Sequence, residues 1–289
     1  VNDDGFGGIY FGQVKELTIS NNIFKETHNT AVYAFNVGEV IAINNTWDGC
    51  CASKYDSSPR AFYIKTTNDL LTFRNNTVKN CPEVSRNNYI MHFESKGSIL
   101  IDGCIFTNNV GTANGGGGIG AVFNCINSTI TIENCTFKEN KAKNVLNLEY
   151  GGFGGALQIG GNIFRDTSYT SALEVFSCIF ESNYAYSKGG GAITFSTEKD
   201  NIIQYCTFIS NTGKENAGAV LITPMKYEIN TPNREGTNLI TNCTFNGNNA
   251  ENAVGHSIYS WDKSHSTIQN CEFVGKTTKY GGQISYERR

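Results

Sequence analysis

The sequence predicts an all-β solenoid, a fold in which the short strands of successive coils stack along one axis. Three observations support this prediction. One short phrase returns nine times, apolar residues alternate within each copy, and helical periodicity is nearly absent. The copies recur at intervals of roughly 20–50 residues, a spacing typical of solenoid repeats.

The clearest copy is ITIENCTFKEN at residues 130–140. Its central position is aromatic in most copies: Phe24, Trp47, Val78, Phe106, Phe137, Phe180, Phe208, Phe245 and Phe273. Two residues earlier stands Asn or Cys: Asn22, Asn45, Asn76, Cys104, Cys135, Cys178, Cys206, Cys243 and Cys271. Three residues before that an apolar residue recurs, as at Ile101 and Ile132.

Each coil is predicted to hold about three strands. Apolar residues alternate on both sides of Glu133-Asn134, the pattern of half-buried strands, and this step shifts the alternation by one residue, as a bend requires. A second motif, such as Gly190-Gly191-Ala192-Ile193, supplies the third strand. We therefore expect a right-handed parallel β-helix of about nine coils, spaced about 4.8 Å apart.

The repeat runs through residues 1–289, so we predict a single domain, cut from a longer chain because no capping unit is evident at either end. The formal net charge is −3, and the absence of a basic stripe argues against nucleic-acid binding. No stretch of 18 apolar residues is present, so no membrane-spanning segment is expected in this sequence.

The sequence contains ten cysteines, which could be free thiols, disulfides or metal ligands. The six in the repeat position are interpreted as buried free thiols, with disulfides between neighbouring coils as the alternative, because side chains that point in parallel suit disulfide geometry poorly. Cys50 and Cys81 lie three residues after the core position, where later coils carry Asn, and are the predicted disulfide pair. No zinc site, other metal site or cofactor is expected.

Asparagine recurs three residues after the aromatic position, at Asn109, Asn140, Asn183, Asn211 and Asn248. We expect these residues to adopt the left-handed conformation of a tight corner, and their stacked amides to bond from coil to coil. Five N-x-S/T sequons are also present, at Asn44, Asn75, Asn127, Asn134 and Asn242. All except Asn127 share the bend position, which is predicted to face solvent and to accept glycans in a secreted protein.

Two motifs alternate within residues 104–284. F-x-x-N begins at Phe106, Phe137, Phe180, Phe208 and Phe245, and G-G-A-[ILV] is represented at residues 155–157, 190–193 and 218–220. This alternation resembles the polymorphic membrane protein family. The resemblance implies a β-helical surface adhesin, carried in bacteria by an autotransporter barrel, and similar repeats occur in large surface proteins of some protists.

The principal alternative is a polysaccharide lyase or glycoside hydrolase of the pectate-lyase-like class, which needs a cluster of carboxylates on one face. Asp102 and Glu133 are the ordered acidic pair at equivalent positions of neighbouring coils, and we interpret them as a solvated bend. His92 is interpreted as an ordinary strand residue rather than a catalytic base.

We therefore predict a non-catalytic extracellular or cell-surface protein, an adhesin or a structural component of a surface assembly. Its expected partners are surface or extracellular proteins or glycans, and end-to-end self-assembly is a further expectation because coil ends present unpaired strand edges. Aromatic residues in irregular insertions are the candidate contacts, because loops on a rigid scaffold carry recognition: Tyr150, Phe153, Tyr169, Tyr184 and Tyr186.

Overall fold

The computed structural model describes residues 8–51, 61–66, 70–82, 90–94, 97–112, 123–126, 129–143, 154–160, 172–187, 189–197, 199–223, 236–252, 255–260, 265–275 and 282–286. Within these ranges every regular element is a β-strand, and strands pair in parallel with their counterparts in the next coil. The described residues contain no helix able to cross a membrane. The predicted all-β parallel solenoid is confirmed.

Two long sheets, A and B, form two sides of the coil. Sheet A contains Ile9–Gly12, Val32–Val37, Phe62–Thr66, Met91–Glu94, Phe123–Ile126, Leu157–Gly160, Ile193–Ser196, Val220–Ile222, Ile258–Ser260 and Ile284–Tyr286. Sheet B contains Glu16–Ser20, Glu39–Ile43, Leu71–Arg74, Ile99–Asp102, Thr129–Glu133, Ala172–Phe176, Asn201–Gln204, Thr237–Thr241 and His265–Gln269.

Sheets C and D complete the coil. Sheet C contains Ile23–Lys25, Thr46–Asp48, Thr77–Lys79, Ile105–Thr107, Thr136–Lys138, Ile179–Glu181, Thr207–Ile209, Thr244–Asn246 and Glu272–Val274. Sheet D contains Val110–Thr112, Lys141–Lys143, Tyr184–Ala185, Thr212–Gly213 and Asn249–Ala250. The nine strands of sheets B and C match the nine predicted coils, whereas sheet D is an addition that the repeat did not predict.

The aromatic position of the phrase forms a continuous column in the core. Phe106 pairs with Phe137 in register, as predicted, and their ring centroids lie 4.9 Å apart with an interplanar angle of 4°. The same stacking continues from Phe180 through Phe208 and Phe245 at 4.7–4.9 Å. Because an all-parallel coil places equivalent side chains above one another, one aromatic residue per repeat is sufficient to build this column.

Asparagine forms a second column, which corrects one prediction. The left-handed conformation belongs to the residue before each of these asparagines, at Asn108, Glu139, Ser182, Ser210 and Gly247. Asn109, Asn140, Asn183, Asn211 and Asn248 instead turn inward and are buried. Asn140 donates from Nδ2 to Oδ1 of Asn183 at 3.0 Å, and Asn183 does the same to Asn211 at 2.9 Å. The inward turn has a physical reason, since buried amides satisfy both each other and the backbone.

Two bends flank sheet C, and each holds asparagine in some coils and cysteine in others. The first bend has asparagine in the early coils and cysteine in the later ones, and the second bend has the reverse order. At the first bend, the backbone N–H of Asn45 donates to Oδ1 of Asn76 at 2.8 Å, and the backbone N–H of Cys104 donates to Sγ of Cys135 at 3.4 Å. At the second bend, the backbone N–H of Cys81 donates to Oδ1 of Asn109 at 3.1 Å. At the first bend, the thiols of Cys104 and Cys135 therefore accept the backbone bond that an amide oxygen accepts in an earlier coil.

Eight of the nine cysteines with described side chains are buried, Cys50 and Cys81 among them. Burial raises the pKa of Cys50 to about 11 and raises that of Cys104 further. Cys50 lies close enough to Cys81 for that thiol to raise its pKa as well, and its Sγ donates to the carbonyl of Phe24 at 3.5 Å. The predicted disulfide between Cys50 and Cys81 stays a prediction.

We expect four buried repeat-position cysteines, Cys104, Cys135, Cys178 and Cys243, to resist alkylation at neutral pH in the folded protein and to react fully after denaturation without reductant. The reason is that the thiolate is the reactive species and burial suppresses it. Mass spectrometry of the alkylated protein measures this. A cross-linked Cys50–Cys81 peptide in material matured in an oxidising compartment is the expected exception. Quantitative pairing of the repeat-position cysteines would contradict the thiol assignment.

Candidate binding surface

Sheet D positions an exposed group of tyrosines and lysines. Its inward-facing residues are small, as at Ala142, Ala185 and Gly213, and all three are buried. A Cβ atom on Gly191 would lie 2.0 Å from the carbonyl oxygen of Gly218 and 2.5 Å from the backbone nitrogen of Thr212. The Gly-Gly motif is thus explained, because only glycine lets the strand of sheet A approach the backbone of sheet D so closely.

We define the tyrosine–lysine patch as Lys141, Lys143, Tyr184, Tyr186, Lys214 and Glu251. Lys141 pairs with Tyr184 in adjacent coils. The backbone N–H of Tyr186 donates to the carbonyl of Ala142, and that of Lys214 donates to the carbonyl of Ala185, both at 2.9 Å. The second outward position of sheet D is therefore filled by Lys143, Tyr186 and Lys214 in three consecutive coils.

Contacts within the patch hold the two rings in place. The ring centroids of Tyr184 and Tyr186 lie 4.3 Å apart at an interplanar angle of 52°, and Nζ of Lys143 lies 5.8 Å from the Tyr186 centroid. Tyr184 donates from its hydroxyl to Oε2 of Glu251 at 3.0 Å. Burial, with the Glu251 carboxylate next in effect, raises the pKa of Tyr184 to about 12, so the phenol remains protonated at physiological pH.

The patch is half-exposed rather than covered. Tyr184, Tyr186 and Lys143 are of intermediate exposure, whereas Lys141 and Lys214 are exposed. Two pre-positioned rings and three ammonium groups form a surface that can stack on apolar faces and contact anionic or hydroxyl groups of a partner. The other predicted contact residues, Tyr150, Phe153 and Tyr169, lie outside the described residues, as does the sequon at Asn127.

The two acidic residues considered for catalysis are neighbours, and one of them, Asp102, is bound by other side chains. Asp102 pairs with Glu133 in register. One carboxylate oxygen of Asp102 accepts a bond from Nε of Arg74 at 2.9 Å, and the other accepts from Nδ2 of Asn134 at 3.0 Å. In the part of the chain that the structure describes, no three His, Cys, Asp or Glu side chains come together as a potential metal site.

Other acidic side chains on the outer faces also pair between coils. Lys138 donates from Nζ to Glu181 at 2.9 Å, and Nζ of Lys79 lies 3.4 Å from Asp48. A hydrogen bond from Asn80 is the largest cause of a lowered pKa at Asp48. The lowered pKa keeps the Asp48 carboxylate ionised, which is the opposite of what a general acid requires.

A family description of the right-handed β-helix region matches residues 1–125 and 60–289, which together cover the whole chain. The chain belongs to the right-handed β-helix family. No curated protein and no solved structure matches it. Because the right-handed β-helix supports unrelated functions, membership of this family does not by itself assign a function to the chain.

An aromatic column on the outside of sheet A was missed in the sequence. Tyr10, Tyr33 and Tyr63 stack with centroid separations of 5.3 and 4.8 Å, and His92 continues the column 4.8 Å from Tyr63. Each residue directly follows an apolar strand residue, so aligning the sheet A strands with one another could have revealed it. His92 is buried within this column of the β-helix, in agreement with its interpretation as a strand residue.

His256 links the end of sheet D to the next strand of sheet A. Its Nδ1 accepts a bond from the backbone N–H of Ala250 at 3.2 Å, and burial lowers its pKa. A folded-state pKa below the unfolded value of about 6.5 means that the unfolded chain binds more protons in this pH range. The stability from neutral His256 is therefore fully present above the unfolded pKa and is lost as pH falls.

We expect the thermal unfolding midpoint of the protein to decrease as pH is lowered from 7.5 to 5.5, because protonated Nδ1 cannot accept the Ala250 bond. His256→Asn should show a smaller decrease, since asparagine retains an acceptor without titrating. His265→Asn is the control, because His265 is exposed. Equal pH dependence in the wild type and His256→Asn would contradict this role for His256.

Proposed function

We propose that this β-helix is a non-catalytic extracellular or cell-surface protein that binds its partners through the tyrosine–lysine patch, as an adhesin or as a component of a surface assembly. The observation that carries the proposal is the combination, within the patch, of two rings held in mutual contact and exposed lysine ammonium groups. Arg74–Asp102 and Lys138–Glu181 are paired from coil to coil, whereas the patch presents two fixed rings beside exposed lysines.

The pre-organised geometry of the patch favours recognition. Rings that are already held by Glu251 and by their mutual contact lose little freedom when a partner binds, which lowers the entropic cost of association. Tyrosine is enriched among residues that dominate protein interfaces because it combines a large apolar face with a polar tip. These properties suit extracellular proteins or glycans as partners.

The finer assignment to a surface adhesin also draws on the resemblance to the polymorphic membrane protein family. Both motifs of that resemblance have structural roles in this chain. The F-x-x-N phenylalanine and asparagine form the two inner columns, as Phe137 and Asn140 do, and the glycine pair permits the close approach at sheet D. The motifs therefore support the fold directly and support adhesion through the resemblance alone.

The proposal is tested by coating beads with the protein and counting their attachment to cells of the source organism or of its environment. We expect attachment by the wild type and a several-fold loss in the double variant Tyr184→Ala/Tyr186→Ala. Tyr205→Ser is the matched control, because Tyr205 is an exposed tyrosine of the bend between sheets B and C, where serine occurs at Ser177. Undiminished attachment of the double variant would overturn the assignment of the patch.

A further inference from the structure

The bend between sheets B and C is a regular row of nine left-handed residues. Their φ angles lie between 52° and 62°, at Asn21, Asn44, Asn75, Gly103, Asn134, Ser177, Tyr205, Asn242 and Asn270. Asparagine and glycine accept this conformation most readily, so the backbone alone explains the asparagines. It does not explain the residue two positions later, which lies on a strand.

Five of these bends are followed at that second position by threonine. In four of them the bend residue is asparagine, and the threonines are Thr46, Thr77, Thr136 and Thr244; the fifth, Thr207, follows Tyr205. Each threonine is the first residue of a sheet C strand and is half-exposed, because the next residue is the one that enters the core. Asn44, Asn75, Asn134 and Asn242 are themselves exposed. In each of the four coils, the asparagine that would accept the glycan is exposed and the threonine of the same sequon is half-exposed. A folded protein can carry an N-linked glycan only where the modified asparagine reaches solvent.

We propose that Asn44, Asn75, Asn134 and Asn242 carry N-linked glycans, which form a single stripe along the B–C edge of the β-helix. This inference rests on the extracellular location given in the proposed function. The donor is a lipid-pyrophosphate-linked oligosaccharide. A bond forms between Nδ2 and the sugar C1, the bond from C1 to the pyrophosphate oxygen breaks, the lipid pyrophosphate leaves, and Nδ2 loses one proton.

The fold accommodates the modification without disturbing the core. In the unmodified structure, Nδ2 of Asn44 donates to Oδ1 of Asn21 at 3.3 Å, and Nδ2 of Asn134 donates to Oδ1 of Asp102 at 3.0 Å. A glycosylated Nδ2 keeps one N–H, so both bonds can still form. The buried ladder begins only at the following residue, as at Asn45 and Cys135. Sheet C separates this edge from sheet D, so the stripe leaves the tyrosine–lysine patch clear for a partner.

The test is expression of the chain through a eukaryotic secretory pathway, with enzymatic release of glycans in heavy-oxygen water and peptide mapping of the secreted protein. We expect glycans at all four asparagines. Single Thr→Val changes at residues 46, 77, 136 and 244 should each remove one glycan and leave the far-UV CD spectrum unchanged, because isoleucine fills the same position at Ile105 and Ile179.

A matched gain of site comes from Tyr205→Asn, which completes a sequon with Thr207 at an equivalent bend and should add one glycan to the secreted, folded protein. Bare asparagines in secreted protein with a native CD spectrum would overturn the stripe, as would glycans found only in retained, misfolded chains. Bead attachment by protein with bare asparagines would leave the proposed function standing. Glycans at the four asparagines without bead attachment would support the stripe and overturn the proposed function.

Discussion

Phe180→Ala is expected to lower the free energy of unfolding by about 3–5 kcal/mol, the range for removing a large aromatic side chain from a packed core. Phe180 is fully buried, with its ring centroid 4.8 Å from that of Phe137 and 4.9 Å from that of Phe208. The neighbouring coils hold the backbone of Phe180 from both sides, so the cavity cannot collapse easily. Urea denaturation followed by far-UV CD measures the change.

Ile179→Ala is the control for this prediction. Ile179 directly precedes Phe180 in the same strand, but its side chain faces outward and is 43% exposed, so its loss should cost much less. A free-energy change at Phe180 no larger than the change at Ile179 would mean that the register of the aromatic column is wrong.

Asn183→Leu is expected to destabilise the fold by about 3 kcal/mol or more, because each buried donor or acceptor left without a partner costs about 1–3 kcal/mol. Oδ1 of Asn183 accepts from both the backbone N–H and Nδ2 of Asn140, each at 3.0 Å. Its Nδ2 donates to the carbonyl of Phe137 and to Oδ1 of Asn211, each at 2.9 Å. Leucine has similar volume and makes none of these bonds.

Two variants separate the hydrogen bonds from other effects. Asn183→Cys should cost less than Asn183→Leu in the same denaturation experiment, because a thiol fills the equivalent position at Cys81. Ser182→Asn should be close to neutral, since asparagine adopts the same left-handed conformation at Asn108. Equal costs for the leucine and cysteine variants would contradict a stabilising amide ladder.

The register of sheets B and C was predictable from the sequence because it is determined by a bulky side chain. Phe106 and Phe137 can share the core only if the coils are aligned on them, and the shift of alternation at Asn134 locates the bend between the sheets. The Cys104–Cys135 neighbourhood follows from the same alignment. Each of these features depends on the residue type at one position of the repeat, so it can be predicted even when the coils differ in length.

Sheet D was not predictable in the same way. Its strands have two or three residues, such as Tyr184–Ala185 and Thr212–Gly213, and their inward positions hold Ala or Gly, which give no apolar alternation. The left-handed residue was assigned one position too late because Glu139 is an unusual occupant of that conformation, whereas Asn140 is a common one. The buried amide ladder outweighs the local preference.

The candidate site was predictable only in part. Tyr184 and Tyr186 were named as contacts because they were assigned to an irregular insertion, whereas the structure places Tyr184 on a regular strand of sheet D. Nothing local indicates that Glu251 binds the Tyr184 hydroxyl from 67 residues away. Lys143 and Lys214 join the patch through the register of sheet D, which the sequence did not reveal. Long-range contacts of this kind depend on insertions whose lengths differ from coil to coil.

The central claim is that this right-handed β-helix acts by binding and not by catalysis. Incubation of the protein with a panel of acidic and neutral polysaccharides, with and without Ca²⁺, followed by detection of new reducing ends and unsaturated sugars, tests this claim most directly. We predict that no polysaccharide is shortened, because Asp102 is held by Arg74 and Asn134. Cleavage that disappears in Asp102→Asn/Glu133→Gln but persists in Asp48→Asn would contradict the claim and make the protein a polysaccharide-active enzyme.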